Sequence, residues 1–223
     1  MAESSGKLRE VRLTTPVTDE ALRGLQLGDV VYLDGLIYTG RESVYKRVLQ
    51  DGMTPPVDLK TLTNVNFHCS PAAARNDDGS FNVGAVTATA SFRFSKWLEV
   101  SGAKVIVGKG GMSEQDYRDV FVPAGAVYLT TVGYGTGALL GRGIKRVVDA
   151  HWIDDLGIAQ AMWVLEVERF GPLLVESDLD GNSLFERQNR IVNQGLARVY
   201  EGLKPPSLAR YGETDDRREE LIG

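Results

Sequence analysis

Two runs constrain the fold of this chain more than any other feature. "KVIVG" (104–108) and "AVYLTTVG" (126–133) are apolar and rich in β-branched residues, with no polar residue at every second position. A strand with one wet face alternates. One that does not alternate is buried on both faces, as in a parallel or mixed sheet covered by helices. Each run ends in glycines followed by a helix-like segment, so the fold class reads as α/β with a central mixed sheet.

The rest of the chain supplies further strands and helices. "TDEALRGLQLG" (18–28) reads as a helix capped by Thr18, and "RESVYKRVLQDG" (41–52) as another ended by Gly52. "DVVYLDGLIYTG" (29–40) predicts two short strands hinged at Asp34-Gly35, and "NVNFHCSP" (64–71) a strand stopped by Pro71. "FNVGAVTATA" (81–90) predicts a strand, "SFRFSKWLEVSG" (91–102) a helix, and Ser113 a helix start. "GALLGRGIKRV" (137–147) predicts a helix, "MWVLEVERF" and "PLLVESD" two separate strands, and "RQNRIVNQGLARVYEGL" (187–203) a final helix. One domain over residues 10–203 is expected, with a flexible N-terminus (1–9) and a polar tail (204–223) that is either disordered or an arm for a partner.

Composition narrows the chemistry. A net charge of −5 argues against nucleic acid or an anionic membrane as the main partner. No apolar run reaches the ~18 residues of a bilayer span, and "MAESSGKLRE" lacks the apolar core of a secretory signal, so a cytoplasmic protein is expected. With one cysteine (Cys69) and two histidines (His68, His151), the chain has no disulfide and no self-contained zinc or iron–sulfur ligand set. Metal chemistry would need ligands from another chain.

Four places stand out. Arg41 follows Thr39-Gly40 where a strand gives way to a helix, a setting that favours anions, although taken alone it is better explained as a surface arginine in a loop. "VTATASFRFSKW" places Thr89 four residues before Arg93, with Ser91 as a candidate helix cap; on spacing alone, capping explains these hydroxyls. Gly108-Lys109-Gly110-Gly111 lacks the spacing of a nucleotide-binding P-loop, and reads either as a plain turn with a solvated lysine or as a ligand contact. "TTVGYGTGALLG" (130–141) is G-x-G-x-G rather than G-x-G-x-x-G, so close helix-on-strand packing or free N–H groups explain it better than a dinucleotide.

In order, "TGR", "FHCSP", the Thr89-x-x-x-Arg93 junction, "VIVGKGGM", "GAVYLTTVGYGTGALL" and "WVLEVERFGPLLVESDLDGNSL" resemble the β-subunit of iron–sulfur hydro-lyases, the class I fumarase and L-tartrate dehydratase family. The resemblance covers roughly residues 10–200 and implies a swivelling β/β/α domain. It implies an α-subunit partner in an assembly with two copies of each chain, the α-subunit holding a [4Fe–4S] cluster. It further implies that Arg41, Arg93 and Lys109 grip the carboxylates of a small 2-hydroxy dicarboxylate, that Thr89 is the catalytic base, and that the glycines around Lys109 clear space for the diacid. His68, Tyr45 and Ser91 would support the site.

The chain departs from the family pattern at five points. Tyr45 stands where a histidine is common, Ser70 where the family has glycine, Ala90 and Phe92 alter the usual Thr-Thr-x-x-Arg segment, and Ser95 stands where an acid is usual. These changes are expected at the pocket, where they point to another substrate or to weakened catalysis. The expected activity is reversible dehydration; the alternatives are a non-catalytic subunit of the same fold and a phosphate- or nucleotide-binding protein.

Overall fold

The structure, a computed structural model, describes residues 8–90, 92–133, 135–199 and 201–202. Expectations for residues 1–7, for Ser91 and for the 204–223 tail lie outside the described residues. The chain forms two compact units, residues 1–187 and 188–223. Its elements run β1 (Glu10–Thr14), α1 (Asp19–Arg23), β2 (Val30–Gly40), α2 (Glu42–Leu49), α3 (Leu59–Leu62), β3 (Val65–Arg75), β4 (Phe81–Ala88), α4 (Ser95–Ser101) and β5 (Val105–Gly108). There follow α5 (Glu114–Asp116), a π-helical turn (Tyr117–Phe121), α6 (Val122–Ala124), β6 (Val127–Thr131), α7 (Gly137–Gly141), β7 (Ile144–His151), α8 (Ile153–Leu156), β8 (Met162–Ser177) and α9 (Leu184–Val199). The second unit holds, among the described residues, the larger part of α9.

Eight strands form one mixed sheet in the order β1-β2-β3-β5-β6-β8-β7, with β4 paired to β3. β1–β2, β2–β3, β3–β5 and β5–β6 are parallel. β2 also pairs antiparallel with β8, so β2, β3, β5, β6 and β8 close into a ring. Alternate residues of all five ring strands meet in one apolar cluster: Val31 and Leu33, Phe67, Val105 and Val107, Leu129, Leu165. This cluster fills the ring as side chains fill a small barrel. The opposite faces of β5 and β6 send Ile106 and Tyr128 into a second cluster with Tyr45, Trp97, Tyr117 and Phe121, contributed by the outer helical segments. Every residue of β5 and β6 is buried, as their non-alternating pattern requires.

Five local expectations are corrected. Asp34-Gly35 is no hairpin: β2 runs straight through it with register shifts against β8. The Asp34 carboxylate is held by Arg12 and by the Arg169 N–H (2.8 Å), and Gly35, at φ 109°, lets the Thr15 side chain pass. β3 continues past Pro71 to Arg75. Its pairing with β5 ends at Phe67 and that with β2 at His68, so beyond them only β4 needs a ladder and the missing Pro71 N–H leaves no gap on the other side. The helix from Gly137 stops at Gly141, and Ile144–His151 is strand β7, whose Lys145 and Arg146 pair with Glu168 and Glu166 of β8. The two strands expected over 162–178 are one, β8, where Gly171 has room for no side chain against the Val31 carbonyl. Helix α4 begins at Ser95 rather than at residue 91, and β1 had no counterpart in the sequence reading.

Candidate functional site

The predicted residues gather where the parallel strands end. β2 ends at Gly40, and Arg41 follows in extended conformation at the head of α2. Gly40 pairs with His68 in β3. Beyond β4, the Thr89 N–H donates to the His68 carbonyl (2.7 Å), and the Thr89 carbonyl accepts from the Lys109 N–H (3.0 Å). Ala90 bridges Lys109 in parallel register. The Thr89–Ala90 segment therefore lies as an inserted strand between β3 at His68 and the end of β5. Arg41, Thr89 and Lys109, far apart in sequence, stand on neighbouring strand ends.

The cations do not all face one cavity. Exposed Arg93 lines a cleft of about 410 Å³ with Phe92, Ser95, Gly111, Met112 and Asp116. Lys109 lines a second cleft of about 250 Å³ with Thr87, Thr131, Thr136 and the glycine-rich turn. Arg41 donates to Ser70 Oγ, which donates to the Ala159 carbonyl (3.0 Å). The Glu42 carboxyl lies below the usual carboxylate range, first through Lys46 and also through Arg93 and Arg41, so both arginines project field at the start of α2.

Gly108 and Gly111 beside Lys109 make room for the protein's own side chains rather than for a ligand, which corrects the sequence expectation at these two positions. A Cβ at Gly108 would lie 2.0 Å from the Tyr128 hydroxyl, and one at Gly111 2.3 Å from Glu176 Oε1. Gly110 meets nothing within 4 Å but has φ 72°, so its role is backbone shape. The loop is built over buried polar groups that sequence reasoning missed. Glu176, wholly buried, accepts from Ser183 Oγ (2.7 Å), Tyr117 Oη (3.3 Å), and the Leu184 and Phe185 N–H groups (2.9 and 3.3 Å). Tyr117 Oη in turn accepts from the Met112 N–H (2.9 Å), and Tyr128 Oη donates to the Lys109 carbonyl (3.4 Å). Burial, reinforced by the Glu176 charge, pushes both phenols well above their ordinary pKa. Burial also raises the Glu176 carboxyl, against its hydrogen bonds.

Of the departures from the family pattern, Tyr45 is internal, whereas Phe92, though nearly buried, lines the Arg93 cleft. Tyr45 is 0 % and Phe92 1 % exposed, and their rings meet edge to face at 5.6 Å. Tyr45 is therefore not a pocket-lining replacement for a histidine. His68, 3 % exposed, lies with Nδ1 3.1 Å from the Tyr45 hydroxyl and 3.2 Å from the Gly40 carbonyl, and burial lowers its pKa. Gly137 and Gly141 bring α7 against β4: a Cβ there would lie 2.3 and 2.2 Å from the Val86 and Gly84 carbonyl oxygens. Helix-on-strand packing accounts for these two glycines.

Among the described residues, no three His, Cys, Asp or Glu side chains are grouped to hold a metal. Cys69 is buried, and burial raises its thiol pKa. These residues do not fit a metal cluster. No helix among the described residues is long and apolar enough to cross a membrane.

Arg41, Thr89 and Lys109 thus stand at neighbouring strand ends of an α/β domain whose five central strands close into a ring. Residues 1–188 match the family described as Fumarase C-terminus. The chain is 34% identical over 187 residues to a putative L(+)-tartrate dehydratase subunit beta of Methanocaldococcus jannaschii, covering 81% of this chain and 93% of that one. It is 30% identical over 191 residues to the L(+)-tartrate dehydratase subunit beta of Escherichia coli (80% and 88%). With a putative fumarate hydratase class I of Geobacillus stearothermophilus it shares 32% identity over 190 residues, 83% of this chain but 35% of that one. The chain belongs to the fumarase C-terminus family.

Proposed function

We propose that this chain is the β-subunit of an iron–sulfur hydro-lyase that reversibly removes water from a small 2-hydroxy dicarboxylate. The observation that carries the reading is the insertion of Thr89 between His68 and Lys109, which sets a hydroxyl among the ends of strands that also present Arg41 and Lys109. The relatives whose names include "subunit beta" support a separate α-subunit. In this reading the α-subunit carries a [4Fe–4S] cluster, which supplies Lewis acidity that the residues of this chain do not.

The part of this chain is charge and proton handling. In this reading Arg41 and Lys109, on neighbouring strand ends, meet one carboxylate, and Arg93, which lines a separate cleft, meets the other. As a proton leaves the carbon beside a carboxylate, negative charge builds on that carboxylate, and fixed cations stabilise it without reorganising. Thr89 takes the proton. A free hydroxyl is a weak base, so this role depends on the surrounding cations.

Co-expression with an iron–sulfur α-subunit, followed by hydration and dehydration assays on fumarate, tartrate, malate and methylated relatives, tests the proposal. Arg93→Ala and Lys109→Ala should each lower kcat/KM on the order of 100-fold. Wild-type rates in both variants would make this a non-catalytic subunit.

A further inference from the structure

A line of buried polar groups runs from α4 to the candidate site. Trp97 Nε1 lies 3.2 Å from both the Tyr38 hydroxyl and Asn66 Oδ1. Asn66 Nδ2 donates to the Tyr45 hydroxyl (3.0 Å), which faces His68 Nδ1 at 3.1 Å. Tyr38, Tyr45, Asn66 and Trp97 are fully buried. His68 also lies against the backbones of Gly40 and Ala90. Gly40 directly precedes Arg41, and Ala90 directly follows Thr89. One imidazole thus spans the two segments that carry the candidate carboxylate grip and the candidate base.

Proton accounting fixes the state of the ring. Asn66 fills a lone pair of the Tyr45 oxygen, so the phenol proton needs an acceptor, and His68 Nδ1 is the one within reach. A ring that accepts at Nδ1 carries its proton on Nε2, and the Gly40 carbonyl, 3.2 Å from Nδ1, is then a close neighbour rather than a hydrogen-bond partner. Burial favours the neutral forms of both groups. Of the neighbouring charges, Arg41 opposes protonation of the ring and Glu42 favours it.

We propose that His68 is a positioning residue: a neutral imidazole, oriented by Tyr45, that ties α2, headed by Arg41, through Tyr45 to the Thr89–Ala90 segment. Its functional weight rests on the reading of Arg41 and Thr89 given above. The tie itself is open to a test without activity.

The chain has two histidines, so nitrogen–proton correlation spectra of its imidazoles show two rings, and His151→Gln assigns them. At pH 7 the wild-type His68 should show the Nε2–H tautomer. Tyr45→Phe, which keeps the ring packed on Phe92, Phe94 and Trp97, should shift it toward Nδ1–H. A wild-type ring that is cationic or Nδ1–H at pH 7 would overturn the proposal. In the complex with an α-subunit, Tyr45→Phe should lower kcat on the order of 10-fold, as misplacement of reacting groups does, with Tm little changed. Unchanged kcat and KM alongside a shifted tautomer would also overturn it. If Arg41→Ala and Thr89→Ala keep wild-type rates, the functional reading fails instead, and the tautomer result still decides the tie.

Discussion

Ser70 both receives a hydrogen bond from Arg41 and anchors itself to the Ala159 carbonyl, so a residue that departs from the family's usual glycine holds the arginine nearest His68. Ser70→Gly should raise KM for the dicarboxylate about 5-fold, the worth of one ordinary hydrogen bond, with kcat little changed. Steady-state kinetics of the complex check this, and an unchanged KM would mean that other groups fix Arg41. Gly111→Ala should cost about 1–3 kcal/mol in urea unfolding, because its Cβ would strike a carboxylate locked by Ser183 and Leu184. The residues expected to touch substrate sit in short local motifs, which is why the sequence alone can nominate them. Glu176, Asn66 and Tyr117 were not legible. Tyr117 and Glu176 lie 59 residues apart, and each reads locally as one more position in an apolar strand or helix.

Elements were legible where burial dictates composition, as in β5 and β6, and illegible where a distant partner decides. Asp34-Gly35 is locally a turn dipeptide, yet Arg12 from β1 and the Arg169 N–H hold Asp34 in a strand. The Arg12 guanidinium, helped by that N–H, keeps the Asp34 carboxyl below the usual carboxylate range. A depressed folded-state pKa stabilises above the unfolded value of about 4, and that stability is lost as pH falls through the folded value. Asp34→Asn should therefore flatten the acid limb of the stability curve, modestly because the pair is partly exposed. Unfolding midpoints compared at neutral and acid pH check the sign. Strand β7 was read as helix because its lysine and arginine look like a helix end, whereas they pair with glutamates across the sheet. Gly141→Ala, whose methyl would lie 2.2 Å from a backbone oxygen of β4, should detach α7 and lower Tm.

At the scale of the whole molecule, the first unit closes five strands into a ring, and its candidate groups stand on the strand ends. Purified alone, the chain should be colourless and inactive, and mixing with an iron–sulfur α-subunit should restore turnover. A brown lone chain with the visible absorbance of an iron–thiolate cluster would contradict this. The stitching of Thr89 to His68 on one side and to Lys109 on the other has a mechanical consequence. Arg41, Thr89 and Lys109 ride on a single laminate of backbone. A hydro-lyase built this way would capture its diacid by the approach of one rigid body to another. Its rate would then respond to solvent viscosity and to how firmly the two chains grip, and the Thr89 and Lys109 amides would exchange as slowly in the lone chain as in the working enzyme.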